Sequence, residues 1–241
     1  MIRAFGVIVP VHDEEALLPA CLASLEAAAR RAGVPVHVVV VLDACRDGSE
    51  RIARRAEFSG GLTLVRTDGR NVGRARAAGA SAVLVHYAAR DPYSIWLATT
   101  DADSVVPARW LAVHRELADD GADAVAGTVA VDDWTGHPAE VPALYRQRYG
   151  NPRTTPVHDH VHGANLGIRA SAYLAAGGFA AVRRREDHEL WRMLQAMGRP
   201  VVRTWAEPVV TSARPHGRAP GGFAAFLRRL APPPPEPALS G

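Results

Sequence analysis

The chain has 241 residues, a length that fits one α/β domain, and 48% of them are hydrophobic, which is enough for a buried core. The net charge of +3 does not call for a nucleic-acid partner, and none is expected. All 28 basic residues are arginine, so Schiff-base chemistry and a P-loop, which both need lysine, are excluded.

Strands and helices alternate in the first half of the chain. We predict strands from the apolar runs over residues 4–9, 36–42, 62–67, 94–99 and 124–131. Helices are predicted over residues 16–32, 48–58, 71–89 and 107–119. Four successive strand–helix units predict a mainly parallel sheet with helices on both faces.

The regular alternation stops near residue 132. Residues 134–162 are rich in aromatic residues, proline and histidine without a period, which predicts an irregular insertion of the kind that forms lids or substrate-binding segments. Short elements follow: strands over 163–168, 201–205 and 208–212, and helices over 170–176, 185–197 and 223–230. Residues 231–241, APPPPEPALSG, are predicted to be a disordered Pro-rich tail.

Cysteines and apolar runs indicate the compartment. Cys21 and Cys45 lie far apart, and neither belongs to a metal-binding pair or a disulfide framework. The first apolar run ends at Pro10 with acids close behind, which is typical of a strand and not of a signal peptide. No run approaches the length of a transmembrane segment. We therefore expect a soluble, cytoplasmic protein.

The stretch IWLATTDADSVV carries the strongest functional signal. Asp101 and Asp103 follow directly after a buried strand, at the carboxyl edge where open α/β sheets bind their ligands. Carboxylates suit Mg²⁺ or Mn²⁺, and such a cation suits a diphosphate. An isolated Asp-x-Asp is also typical of a turn or a helix cap.

Three other polar turns are predicted at the same edge, because parallel strands share a direction. The first follows strand one at residues 12–14, the second follows strand two at residues 43–47, and the third is the Arg-rich stretch 70–76. Together they fit a nucleoside diphosphate: carboxylates for base or ribose, Arg and a helix N-terminus for phosphate, and acids for a metal.

These residues also carry a family resemblance. Six segments occur in the expected order: VIVPVHDEEALLPACLASL, VVVVLDACRDGS, GRNVGRARAAGAS, LATTDADS, HGANLGIRASAYLAAGGF and REDHELWRML. Over roughly residues 5–215 the chain resembles the family 2 glycosyltransferases. The resemblance implies a GT-A fold, with a single Rossmann-like, mainly parallel sheet flanked by helices and an acceptor-binding C-terminal part. Residues 1–131 would form the nucleotide-binding half and residues 132–230 the acceptor-binding half of one domain.

For the donor, the resemblance implies residues at the ends of the early strands. Pro10, His12 and Glu14 would cradle the base, and Asp43 would contact the nucleoside. Arg70, Asn71 and Gly73 match the segment that closes over the nucleotide, and Asp101 would contact the ribose or the sugar. Asp103 would hold the Mg²⁺ or Mn²⁺ that bridges the diphosphate. His216, near the C-terminus, would be a further protein group on that metal; the alternative is a histidine of a surface loop.

For the acceptor, the resemblance implies residues of the second half. The acceptor side would be formed by His162, Gly163, Ala164, Asn165 and Trp191. Glu186 and Asp187 match the family's Glu-Asp pair, whose Asp is the general base in inverting members. Acids at this position also favour a helix N-terminus through its dipole, which is the alternative interpretation.

The alternating histidines of HDHVH leave two interpretations open. On a strand, His158, His160 and His162 would share one face and could bind zinc. The alternative is an acceptor-loop segment with exposed imidazoles.

Two departures from the family pattern limit the prediction. LDACRDGS keeps only Asp43 and Asp47 where many members have paired acids, and the chain lacks the membrane segments of polymerising members. We therefore predict a metal-dependent, inverting transfer of a sugar from a UDP- or GDP-sugar to a hydroxyl of a small or carrier-bound acceptor. A retaining transferase is the closest alternative. A nucleotidyltransferase would want a Gly-rich loop and a lysine where this chain has PVHDEE, and a non-catalytic binding domain would not need Asp103 and Asp187.

Overall fold

The computed structural model describes residues 1–182, 184–215, 217 and 222–230. His216 and the predicted tail at 231–241 lie outside the described residues. The first half contains strands β1 (Ala4–Val11), β2 (Val36–Asp43), β3 (Leu62–Thr67) and β4 (Ile95–Thr99), and helices α1 (Leu18–Ala29), α2 (Ser49–Arg55), α3 (Val72–His86) and α4 (Trp110–Asp119).

The second half consists of shorter elements. Its strands are β5 (Ser104–Val105), β6 (Ala124–Ala126), β7 (Val129–Ala130), β8 (Leu166–Arg169), β9 (Val201–Arg203) and β10 (Val209–Thr211). Its helices are α5 (Val141–Tyr149), α6 (Ala170–Ala175), α7 (Glu186–Ala196) and α8 (Phe223–Leu230).

Seven strands form the main sheet, in the order β3-β2-β1-β4-β8-β6-β9. All neighbouring strands are parallel except β8, which runs antiparallel to both β4 and β6. The predicted α/β fold with a mainly parallel sheet is therefore confirmed. A second sheet of three strands, β5-β10-β7, was not predicted.

Burial on both faces explains why β1 and β2 read as continuous apolar runs. Phe5, Val7 and Val9 point into the layer that contains α1 and α4, and Ala4 and Ile8 point into the layer that contains α3 and α7. A sheet covered by helices on both sides has no polar face, so alternation disappears from its strands.

The predicted strand over residues 124–131 is wrong, because the structure divides it at Gly127. β6 belongs to the main sheet and β7 to the small one. The amide of Gly127 donates to the carbonyl oxygen of Asn165 at 2.9 Å. A Cβ at this position would collide with the Asn165 side chain, so Gly127 allows the close approach that redirects the chain.

The insertion over residues 134–162 was predicted to be irregular, and this is wrong for its centre. Residues Val141–Tyr149 form α5, with Pro142 in the first turn, where proline is tolerated. The hydroxyl groups of Tyr145 and Tyr149 bond the backbone of Val129, so the helix is fastened to β7. Within the described residues, no helix is long and apolar enough to cross a bilayer.

Candidate active site

The carboxyl ends of β1, β2 and β4 lie side by side in the main sheet, and the predicted acids lie there. Two arginines bind these acids. Arg214 forms a fork on Glu14, with nitrogen–oxygen distances of 2.9 and 2.5 Å, and also contacts Asp103 Oδ2 at 2.5 Å. Arg76 contacts Asp101 Oδ1 at 2.5 Å.

Asp103 lies in a crowded acidic environment. Its side chain is 15% exposed. Burial and the nearby Asp101 and Glu14 raise the pKa of Asp103 to about 6, although Arg214 counteracts them. Asp103 and Glu14 share the guanidinium of Arg214 as their counter-charge. Carboxylate oxygens are also the donors that Mg²⁺ and Mn²⁺ prefer. The residues present therefore fit the divalent cation that the family resemblance implies.

Arg76 joins the two halves of the chain. Its other contact is an ion pair with Glu186, the first residue of α7. Burial alone would lower the pKa of Arg76, but Asp101 and Glu186 outweigh it and raise that pKa. A Cβ on Gly163 would collide with the guanidinium, so Gly163 lets the backbone cover it. The sequence analysis placed Arg76 in an Arg-rich stretch expected to bind phosphate, but its guanidinium pairs with Asp101 and Glu186.

Glu186 and Asp187 are neighbours with different environments. Glu186 is buried, and burial raises its pKa against the effect of Arg76. Asp187 is only half-buried. Its Oδ2 accepts a hydrogen bond from the amide of Gly163 at 2.8 Å, and its Oδ1 accepts one from the amide of His188 at 2.8 Å. The accessible carboxylate of the pair is therefore that of Asp187.

Asp43 lies beneath the turn that begins α3. Its Oδ1 accepts from the amide of Arg70 at 3.0 Å, and its Oδ2 accepts from that of Asn71 at 2.7 Å. Asn71 in turn accepts from the amide of Arg74 and caps the helix. His12 contacts the backbone oxygen of Asp43 through Nδ1 at 2.6 Å. The structure thus brings these predicted donor residues together around one turn, and the nucleoside contact of Asp43 stays a prediction.

Gly73 lies in the first turn of α3, facing the second half of the chain. A Cβ there would lie 2.9 Å from the carbonyl oxygen of Val182 and 3.2 Å from Cβ of Glu186. Gly73 therefore permits close packing of α3 against the start of α7. Pro10, in β1, lies near the edge of the sheet and is only half-buried.

Several residues predicted for the acceptor lie in the interior. Asn165 is 1% exposed; it accepts from Trp110 Nε1 at 2.8 Å and donates to the oxygen of Thr128 at 2.9 Å. Trp191 is buried in the layer beneath α7, and Ala164 in the aromatic cluster near α5. Their part in acceptor binding stays a prediction. In the structure, the Asn165 side chain links α4 to the segment before β7 through these two hydrogen bonds.

The three alternating histidines stack in parallel, with neighbouring ring centroids 5.6 Å apart. His158 Nε2 contacts the oxygen of Thr204 at 3.0 Å, and His160 Nε2 that of Tyr149 at 2.8 Å. His162 Nε2 contacts the Tyr149 hydroxyl at 2.9 Å, and burial lowers the pKa of His162 to about 3. The three imidazoles therefore contact different groups, and their nitrogen atoms do not converge as the ligands of one zinc ion would.

Among the described residues, one group of ligand-type side chains has converging atoms: Asp13, Cys45 and Asp47. Their polar atoms are used locally. Asp13 accepts from the amide of Arg46, Asp47 from the amides of Glu15 and Ser49, and the Cys45 thiol donates to the oxygen of Val11. These hydrogen bonds join the turn that follows β1 to the turn that follows β2. They explain why the three side chains lie close together, and no bound ligand is needed.

The sequence model described as "Glycosyl transferase family 2" matches residues 6–175. The chain belongs to this family.

Solved structures with the same fold include three transferases. The mannosyltransferase PcManGT from Pyrobaculum calidifontis, in complex with GDP-Man and Mn²⁺, is 23% identical, with a TM-score of 0.64 over 90% of this chain and 59% of that one. TarS from S. aureus in complex with UDP-GlcNAc is 16% identical, with a TM-score of 0.62 over 94% of this chain and 65% of that one. Glucosyl-3-phosphoglycerate synthase from Mycobacterium tuberculosis, in complex with Mn²⁺, UDP and phosphoglyceric acid, is 15% identical. Its TM-score is 0.53 over 88% of this chain and 72% of that one.

At these identities the likeness shows the fold. The chain spans about three fifths of the length of the first two proteins, with 59% and 65% covered. No curated protein matches the chain significantly.

Proposed function

We propose that this chain transfers a sugar from a nucleoside-diphosphate sugar, UDP- or GDP-linked, to a hydroxyl of a small or carrier-bound acceptor, with Mg²⁺ or Mn²⁺. One observation carries the proposal. The guanidinium of Arg76 joins Asp101, at the donor edge of the sheet, to Glu186, beside the accessible Asp187. An acid motif for a metal–diphosphate and a candidate base for a hydroxyl therefore lie on either side of one buried side chain.

Each carboxylate has a part in the proposed reaction. Asp103, with Asp101 beside it, would hold the metal, which acts as a Lewis acid on the diphosphate. Asp187 takes the proton of the acceptor hydroxyl while that oxygen forms a bond to the anomeric carbon. The bond from the anomeric carbon to the diphosphate oxygen breaks, and its electron pair leaves with the nucleoside diphosphate. Attack opposite the leaving group gives inversion.

The two halves of the domain divide this work. Residues 1–131 contribute the donor residues, and residues 132–230 the acceptor side. The names of the structural neighbours support this class of donor, since they record UDP-GlcNAc, UDP and GDP-Man, two of them together with Mn²⁺.

The test is a donor screen with two readouts. Thermal shifts with UDP, GDP and dTDP, each with Mn²⁺ or EDTA, identify the nucleotide, because a ligand stabilises in proportion to the logarithm of its concentration over its Kd. Slow release of the diphosphate from the matching nucleotide sugar then separates a transferase from a non-catalytic binding domain. We expect UDP, then GDP, to stabilise the chain, and hydrolysis to need the metal. Binding without hydrolysis, or pyrophosphate-dependent synthesis of the nucleotide sugar, would contradict the proposal.

Proton NMR of the first-formed product decides the stereochemistry. Inversion is expected, with the anomeric configuration opposite to that of the donor. A product of the same configuration would assign the retaining alternative.

A further inference from the structure

The position of Arg214 is unusual for a residue in a loop. It follows β10, yet its guanidinium reaches Glu14 and Asp103, which are 200 and 111 residues away in sequence. The exposed fractions of these side chains are 24% for Arg214, 7% for Glu14 and 15% for Asp103. The three charges therefore meet in a place that water reaches poorly.

This contact engages the atom that a metal ion would need. Arg214 Nη2 lies 2.5 Å from Asp103 Oδ2, while Asp103 Oδ1 accepts a hydrogen bond from Ser104 Oγ at 3.3 Å. A guanidinium stays protonated at all ordinary pH values. A divalent cation on the same carboxylate would stand close to that fixed positive charge, and the two would repel each other.

The backbone near Arg214 is fastened, so its side chain is the part that can move. Ser212 donates from its amide to the backbone oxygen of Asp103 at 3.2 Å, and the hydroxyl groups of Ser104 and Thr211 are hydrogen-bonded to each other at 2.9 Å. β10 also pairs with β5 on one side and β7 on the other. The guanidinium, at the end of a long flexible side chain, can leave Asp103 without breaking these contacts.

We propose that Arg214 is the counter-cation of the metal site when no metal is bound, where it neutralises Asp103 and Glu14. Its guanidinium must then release Asp103 before a divalent cation can bind to that carboxylate. This inference rests on the proposed function. It follows that Arg214 and the metal compete for one carboxylate, and that metal binding shifts Arg214 to a second position.

The test is the affinity for Mn²⁺ alone, read from the electron paramagnetic resonance signal of free Mn²⁺ during titration, with no nucleotide present. Arg214→Gln removes the competing charge and should bind Mn²⁺ about tenfold more tightly than the wild type, an ordinary magnitude for coupling between two ligands. Arg109→Gln is the matched control: Arg109 also pairs with a carboxylate, that of Glu116 at 3.3 Å, but both side chains are exposed. Its affinity should equal that of the wild type.

Asp103→Asn should abolish the gain when combined with Arg214→Gln, because an uncharged amide then replaces the contested carboxylate. Arg214→Lys keeps the charge without the fork, and should give a smaller gain; it decides the question if Arg214→Gln does not fold. Equal or weaker Mn²⁺ affinity in the folded Arg214 variants would overturn the inference. The proposed function would survive that result if nucleotide-sugar hydrolysis still required Mn²⁺, so the two can fail separately.

Discussion

The backbone amide of Gly163 donates a hydrogen bond to Oδ2 of Asp187, with a nitrogen–oxygen distance of 2.8 Å. The two residues belong to different elements: Gly163 begins the short turn before β8, and Asp187 lies in the first turn of α7. The contact fixes the orientation of the carboxylate while its half-buried position leaves it open to a hydroxyl group. The hydrogen bond therefore holds the candidate base, Asp187, in a fixed position relative to the turn that precedes β8.

Asp187→Asn should keep the fold and nucleotide binding but lower kcat by about 10²-fold or more, the usual contribution of a general base. The amide can still occupy the site but cannot take the proton. Steady-state kinetics with the acceptor measure the effect. Glu189→Gln, an exposed acid of the same helix turn, is the control and should keep wild-type kinetics. Near-normal turnover of Asp187→Asn would remove Asp187 from the mechanism.

Arg76→Gln should destabilise the protein by about 3–5 kcal/mol, because it leaves the buried Glu186 and the partner Asp101 without their counter-charge. Urea denaturation gives the free energy of unfolding. Arg54→Gln breaks an exposed pair with Glu50 and should change it by less than about 1 kcal/mol. If the two variants lose equal stability, the buried Arg76 network does not stabilise the fold as we describe.

Acid should weaken the fold through the buried His114 and the partly buried His162. Burial lowers the pKa of His162 to about 3 and that of His114 to about 4. Below an unfolded-state pKa of about 6.5 the unfolded chain takes up these protons and the folded chain does not, so the free energy of unfolding decreases as the pH falls. The free energy of unfolding is therefore unaffected by these two histidines well above about pH 6.5. By about pH 5, each histidine lowers it by about 2 kcal/mol.

Urea denaturation at pH 7 and pH 5 checks this dependence. His114→Asn should be less stable at pH 7 but should lose less stability between the two pH values than the wild type. His86→Asn alters an exposed histidine and should keep the wild-type loss. An unchanged pH dependence in His114→Asn would show that His114 is not a source of the acid sensitivity.

The predicted lid can now be restricted to residues 151–157, since α5 is fastened to β7. This stretch contains the exposed Arg153, a site for trypsin. If the stretch orders over bound ligands, cleavage after Arg153 should slow with nucleotide and Mn²⁺. Arg31, in the exposed turn after α1, is the internal control and should be cut at the same rate in both states. Equal protection at both sites would count against a lid.

The sequence was most informative where the signal is local. Hydrophobic patterns predicted residues 62–67 and 223–230 with the observed bounds, and the order of strands and helices predicted the mainly parallel sheet. It also predicted which turns meet at the carboxyl edge. These features follow from periodicity and strand direction alone.

Contacts between distant residues were not predictable in this way. Arg76 pairs with Glu186 across 110 positions and Arg214 with Glu14 across 200, and neither pairing leaves a pattern in the sequence. The small sheet was missed because its strands are only two or three residues long, too short for a period. The break at Gly127 depends on the Asn165 side chain, which arrives from a later part of the chain.

The most direct test of the account is calorimetric titration of UDP into the wild type and Asp103→Ala, first with Mn²⁺ and then with EDTA. Removing Asp103 takes away both a ligand and a charge. We predict that the wild type binds UDP much more tightly with Mn²⁺ than with EDTA, and that Asp103→Ala loses this difference while keeping the weak metal-free binding. GDP replaces UDP if the donor screen selects it. An unchanged Mn²⁺ dependence in a folded Asp103→Ala variant would contradict the assignment of the metal to this edge of the sheet.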